Sequence, residues 1–187
     1  MAAAVVVSAG DVGPAWAAAV LTRGERVLAT EVAAGVVRVP YEPGSLVARD
    51  GPLLAAAVGG LHPRPDVLLL AAAGRDHPRR AGLALHLGAD LDLPTVGVTD
   101  RPLLAVGPPP GPARGDTSPL RLDGAEVARW VRTAAGARPV VAHAAWRTAA
   151  EVAAGLVLAS SSGVRTPLPL REARRLARDG RARRGRP

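Results

Sequence analysis

Residues 66–98 read DVLLLAAAGRDHPRRAGLALHLGADLDLPTVGV, and their pattern decides the fold. Asp66 to Ala72 is an unbroken apolar run, as expected of a strand covered on both faces. Ala81 to Leu91 has helical spacing, and Thr95 to Val98 is the next strand. Strand, helix and strand in that order form the right-handed crossover unit of a parallel sheet. Working outward toward the start, Val5-Val6-Val7-Ser8 is a short β-branched strand and Gly13-Pro14 a turn. Ala15 to Leu21 and Arg26 to Ala33 predict a hairpin about Thr22-Arg23-Gly24-Glu25, so the sheet should open with three antiparallel strands. PYEPG at 40–44 breaks regularity. Leu53 to Val58, after Gly51-Pro52, predicts a helix that Pro63 and Pro65 end.

Toward the other end, residues 107–119 (GPPPGPARGDTSP) form a loop too rich in proline for regular structure. Glu126 to Thr133 and Pro139 to Ala142 predict strands, Thr148 to Ala159 an amphipathic helix, and Arg171 to Arg178 a last, frayed helix. No internal repeat or second core is visible. The expectation is one mixed α/β domain over residues 1–170, followed by an Arg-rich tail, 171–187, that is partly disordered.

Composition narrows the function classes. The chain has 187 residues, 48% of them hydrophobic but only 2% aromatic, so Ala, Val and Leu must build the core from many modest contacts. The absence of Cys excludes disulfides, thiolate metal sites and a cysteine nucleophile. No apolar run approaches the ~20 residues of a membrane helix. The apolar start lacks the basic leader of a signal peptide, and a soluble, cytoplasmic protein is expected. All 24 basic residues are Arg, and the net charge is +8. Eight Arg against Glu172 and Asp179 fall in residues 171–187, so that segment carries most of the excess. Such a tail reads either as a nucleic-acid anchor or as a solvated end.

Several motifs occur in one order: PYEPG (40–44), ARDGP (48–52), the quoted HPRRAGLALHLG and LDLPTVGV, GAEVARWVRTAAGARPVV (124–141) and TPLPLREARRLA (166–177). Together they resemble endonuclease V, the nuclease that recognises deaminated adenine (inosine) in nucleic acid, over nearly the whole chain. The resemblance implies a ribonuclease H-like fold, a mixed sheet flanked by helices, and Mg²⁺-dependent phosphodiester hydrolysis. That chemistry needs carboxylates converging from strand ends, because hard Mg²⁺ takes oxygen ligands. It also implies a helical segment before the first strand, where this chain opens almost at the strand itself.

The family's metal-binding positions are substituted here. Its first-strand Asp matches Val6, and its Asp at the end of the central strand matches Ala71, followed by Ala72 and Ala73 in place of Gly and His. The Glu of its FREGP matches Asp50, the one retained carboxylate and so the remaining catalytic and metal-binding candidate. Its later Lys matches Asp100, and its late His matches Trp146. One short carboxylate holds Mg²⁺ weakly, so the cofactor that the family implies is not expected to bind tightly.

The recognition half is better preserved. Pro40, Tyr41, Pro43 and Gly44 resemble the family's strand-separating wedge, with Tyr41 able to stack on a base. Leu46, His77, Gly82 and Leu103 match positions around the family's base pocket, and Arg79 and Arg80 can pair with phosphates. Asp11, Asp76, Asp50 and Asp100 are further acids expected near one sheet end, with His143 and Trp146 beside them. The leading expectation is a nucleic-acid-binding, nuclease-deficient homologue of the DNA-repair type. Residual metal-dependent cleavage near inosine and a vestigial or protein-interaction domain stand as alternatives.

Overall fold

The computed structural model describes residues 1–42 and 46–184. An eight-stranded sheet runs through the molecule in the order β3-β2-β1-β4-β5-β8-β7-β6. Its strands are β1 (Ala2–Ser8), β2 (Gly13–Arg23), β3 (Arg26–Val37), β4 (Leu68–Leu70), β5 (Thr95–Thr99), β6 (Thr117–Leu122), β7 (Ala125–Val131) and β8 (Val140–Ala144). Only β1, β4 and β5 are mutually parallel. The flanking hairpins are antiparallel, as the opening three strands were expected to be.

Strand alternation divides the core between two faces. Ala2, Ala4, Leu68 and Leu70 pack with helices α1 (Leu46–Gly59) and α2 (Leu83–Asp90). Ala3, Val5, Leu69, Val96 and Val98 face α3 (Ala150–Ala159) and α4 (Leu168–Arg184). The three leucines of β4 are fully buried because both faces are covered. β1, β3, β7 and β8 offer mostly alanine and valine, so stability is spread over many small contacts.

Three local expectations need correction. The first helix begins at Leu46 and runs through Pro52. Proline keeps a helix-compatible φ, and burial of Leu54, Ala57 and Val58 outweighs the one backbone bond it forfeits. β4 is shorter than the apolar run, because its neighbours pair only with Leu68 to Leu70 before the chain turns away at Ala72. A strand, β6, lies where the Pro-rich loop was expected to continue. Its Pro119 is tolerated because β6 is the sheet's edge, where a missing N–H breaks no inner ladder.

The Arg-rich segment holds the expected last helix, which extends beyond Arg171 to Arg178 at both ends. From 168 to 184 it is helix, with Leu170, Ala173 and Ala177 buried and Gly180 lying against Trp16. Arg175 braces it through Glu172 and Asp179, 3.0 Å from each. An apolar stripe within the basic sequence docks the helix on β1 and β2. No helix among the described residues is long and apolar enough to cross a membrane.

Candidate nucleic-acid interface

The crossover unit ends β4 and β5 on the same side, and a cavity of about 470 Å³ opens there. Crevices at the carboxyl ends of parallel strands are where α/β proteins place ligands. One wall is Ala71, Ala72 and Ala73; another is the segment Thr99 to Leu103. Leu46 and Val47 come from the start of α1, His77, Gly82 and Leu83 from the loop into α2, and Tyr41 from the mouth.

Asp76 explains why the wall stands where it does. It is fully buried, and its carboxylate accepts backbone N–H bonds from Leu103 (2.7 Å), Leu104 (2.8 Å) and Ala105 (2.8 Å). Three successive donors on one carboxylate fix the loop after β5 against the loop after β4. Asp76 is therefore a structural clamp and not a member of an acid cluster.

His77 follows the clamp and lines the cavity. Its Nδ1 accepts the Arg79 backbone N–H at 3.2 Å, which leaves the ring proton of the neutral form on Nε2. Burial, and then the Arg79 and His86 charges, push its pKa below the usual histidine value, with the Asp76 charge opposing. A neutral imidazole donor is suited to a base edge. Gly82 is fixed by close backbone approach: a Cβ there would stand 2.4 Å from the Ala73 carbonyl oxygen. Ala72 also lines the cavity, so its methyl narrows the space that a glycine would leave.

Tyr41 is 57% exposed at the mouth. Its backbone N–H donates to Asp11 Oδ1 at 2.7 Å, so Asp11 anchors the wedge. Pro40 is exposed beside it. Pro43 and Gly44 lie outside the described residues. Arg79 is exposed and does not line the cavity. Arg80 turns toward the β6–β7 turn, where it pairs with Asp123 and bonds the Leu122 carbonyl at 3.2 Å. The expected phosphate contact from Arg80 is thus already committed elsewhere.

Asp50 is also committed. Arg49 Nη1 lies 2.7 Å from its Oδ1, and Nη2 of the same guanidinium bonds Ser8 Oγ at 3.0 Å and reaches the Gly10 and Asp11 carbonyls. Burial raises the Asp50 pKa, and the Arg49 charge and hydrogen bond oppose it. The side chains of Val6, within β1, and Ala71, just beyond the end of the adjacent β4, offer only carbon. Asp100 extends outward to Arg165, at 2.7 Å. Among the described residues no three His, Cys, Asp or Glu side chains come together as metal ligands. The donor set does not fit a divalent ion: one carboxylate is neutralised by a guanidinium, and methyl groups stand at the strand ends.

Of the two residues expected beside the acids, Trp146 is not there and His143 is. Trp146 adjoins Thr95, at the start of β5, and so lies at the opposite end of the sheet from the cavity. Arg147 covers its ring, 5.6 Å from the centroid. His143 is buried on β8, beside Asp76. Thr99 spends its hydroxyl proton on the Arg101 carbonyl at 2.7 Å, so His143 Nε2, 2.7 Å from that hydroxyl, must be the donor. Its bare Nδ1 faces Asp76 Oδ2 at 3.8 Å, and burial lowers its pKa to about 4 despite that carboxylate.

The family model for endonuclease V matches residues 3–175. The chain belongs to the endonuclease V family. It is 44% identical over 157 residues to endonuclease V of Methanopyrus kandleri, covering 84% of this chain and 68% of that one. It is 37% identical over 165 residues to that of Streptomyces coelicolor, covering 88% and 71%. Among solved structures, endonuclease V of Streptomyces avermitilis superposes with a TM-score of 0.92 at 33% identity, over 99% of this chain and 82% of that one. The catalytic domain of human endonuclease V gives 0.87 at 31% identity, over 97% and 82%. The eight-stranded mixed sheet with its four helices is thus the endonuclease V architecture, and the ribonuclease H-like expectation holds.

Proposed function

We propose that this endonuclease V family member binds nucleic acid by taking an extruded deaminated adenine base into the cavity at the ends of β4 and β5, and that it does not cut by the family's metal route. The observation that carries this reading is the convergence of Tyr41, Leu46, His77, Gly82 and Leu103 on one cavity, while Asp50 is paired with Arg49 and Ala71 has no oxygen to give. A structural neighbour from Ciona intestinalis was solved in complex with DNA containing an inosine, which supports the choice of ligand. A flipped base needs a close slot, a donor for its edge and an aromatic at the rim. His77, the narrow floor at Ala72 and Gly82, and exposed Tyr41 are suited to those parts.

The test is fluorescence anisotropy with single strands that carry either inosine or adenine at one position. Preference for inosine is the expected result, with Tyr41→Ala weakening binding by about 1–3 kcal/mol. Equal binding of the two strands refutes the base-pocket reading. Incubation with Mg²⁺ or Mn²⁺ should leave the inosine strand intact. Cleavage that disappears in Asp50→Ala would refute the nuclease-deficient reading.

A further inference from the structure

Two smaller cavities adjoin the base pocket. The first, about 280 Å³, shares the wall Ala71, Thr99 and Asp100 with it, and adds Thr166, Arg165 and Arg174. The second, about 430 Å³, is lined by Asp100, Arg101, Trp130, Arg138, Pro139 and Arg165. The Asp100–Arg165 pair, 2.7 Å apart, thus stands where they meet.

Their charge is one-sided. Two guanidiniums and one carboxylate border the first cavity, and three guanidiniums and the same carboxylate border the second. Arg165 is held in place by the Arg138 carbonyl at 3.0 Å and the Pro139 carbonyl at 3.4 Å. Arg174 projects from α4, half-buried, and makes no ion pair or side-chain hydrogen bond among the described residues. Thr166 and Leu170 place the start of the 17-residue helix α4 on the same cavity, and its dipole favours an anion there. Ala71 contributes only a methyl, so the end of β4 adds no negative charge there.

We propose that the cavity beside Ala71 holds a phosphate group of the bound strand through Arg174 and Arg165, next to the base that occupies the main cavity. This rests on the nucleic-acid reading above and deepens it. The strand continues past Asp100 into the cavity of Arg101 and Arg138, where the half-buried Trp130 ring offers a surface for a neighbouring base. A guanidinium suits a phosphate because its forked N–H groups match two oxygens. Asp100 works against the phosphate by holding Arg165. That gives the proposal a sign a structural role would not produce: removing the Asp100 charge should strengthen binding.

The test is a salt series of anisotropy titrations on the full chain, with labelled single strands about a dozen nucleotides long, in DNA and RNA arms, each with and without inosine. Arg174→Gln should weaken binding about tenfold and flatten the slope of log K against log salt by about 0.7, the value for one lost phosphate contact on a single strand. Asp100→Asn should bind more tightly than the unmodified chain. Arg23→Ala, which removes an exposed arginine at the tip of the β2–β3 hairpin, should leave the slope unchanged. Arg174→Gln with an unchanged slope, Asp100→Asn that binds more weakly, or no binding by any strand overturns the proposal. The ratio of inosine to adenine affinity reports on the base pocket separately. A ratio of one with the predicted slope changes sinks the base-pocket reading and supports the phosphate site.

Discussion

Removing the Asp76 clamp should cost more than any surface change, and the two ways of removing it should differ. Asp76→Ala leaves the N–H groups of Leu103, Leu104 and Ala105 without their acceptor. Hydrogen bonds to a charged group contribute about 1.5–3 kcal/mol each, and they are not additive within one carboxylate. A loss of about 3–5 kcal/mol is expected, near the top of the range for single substitutions. Asp76→Asn keeps one oxygen. Placed at Oδ1 it still accepts from Leu104 and Ala105, but the amide then presents a donor to the Leu103 N–H. About 2–3 kcal/mol is expected for that variant. Chemical denaturation at neutral pH measures both, and each kcal/mol should lower Tm by about 2–4 °C in a chain of this size. The inosine-strand affinity should fall in parallel at temperatures where the variants are folded, because the wall at Leu103 loses its support. Stability within 0.5 kcal/mol of the unmodified chain for Asp76→Ala would show that the loop after β5 is held by something else.

Acid should weaken the fold through His143. Its pKa is about 4 in the folded chain against 6.5 unfolded, so the unfolded chain binds more protons between those values and stability falls as pH drops from 6.5 toward 4. The contribution is about 3 kcal/mol in all, and denaturation curves of His143→Gln should show a shallower decline over that window. Gly82→Ala would drive a methyl to 2.4 Å from the Ala73 carbonyl oxygen and 2.9 Å from that of Gly74, so backbone must move. A loss of about 1–3 kcal/mol and a weakened inosine preference are expected from denaturation and anisotropy, and an unaffected protein would show that the α2 entry loop is loose.

The legible parts of this chain are those where one pattern answers to one cause. The leucines of β4 read as doubly covered because they are, and the hairpin about Gly24 follows from its turn residues. The family resemblance implies a base pocket at Leu46, His77, Gly82 and Leu103, and these residues line one cavity together with Tyr41. Misreadings arose where composition masked position. Pro119 made an edge strand look like loop. Arginines on α4 concealed how far the last helix runs and which face docks, and with them Arg174, whose location beside Ala71 depends on the helix's rotation about its axis. A single Asp before His-Pro carried no sign that three backbone donors 27 to 29 residues away would converge on it. Trp146 shows the limit of matching by residue order, since the direction of β8 carries it to the wrong end of the sheet for the cavity.

The docking of α4 on the first two strands sets an order of events during synthesis. The face of β1 and β2 that presents Ala3, Val5 and Val20 is covered by α4, and Arg181 reaches back to the Ser8 carbonyl at 3.2 Å. At ribosomal speeds of about 5–20 residues per second, the cover arrives roughly ten to thirty seconds after the strands it protects. Through that interval the opening hairpin is a half-finished sheet with one bare apolar side. A ribosome that stalls before residue 168 leaves that side bare for good, and the nascent chain then has to rely on chaperones to avoid joining its neighbours.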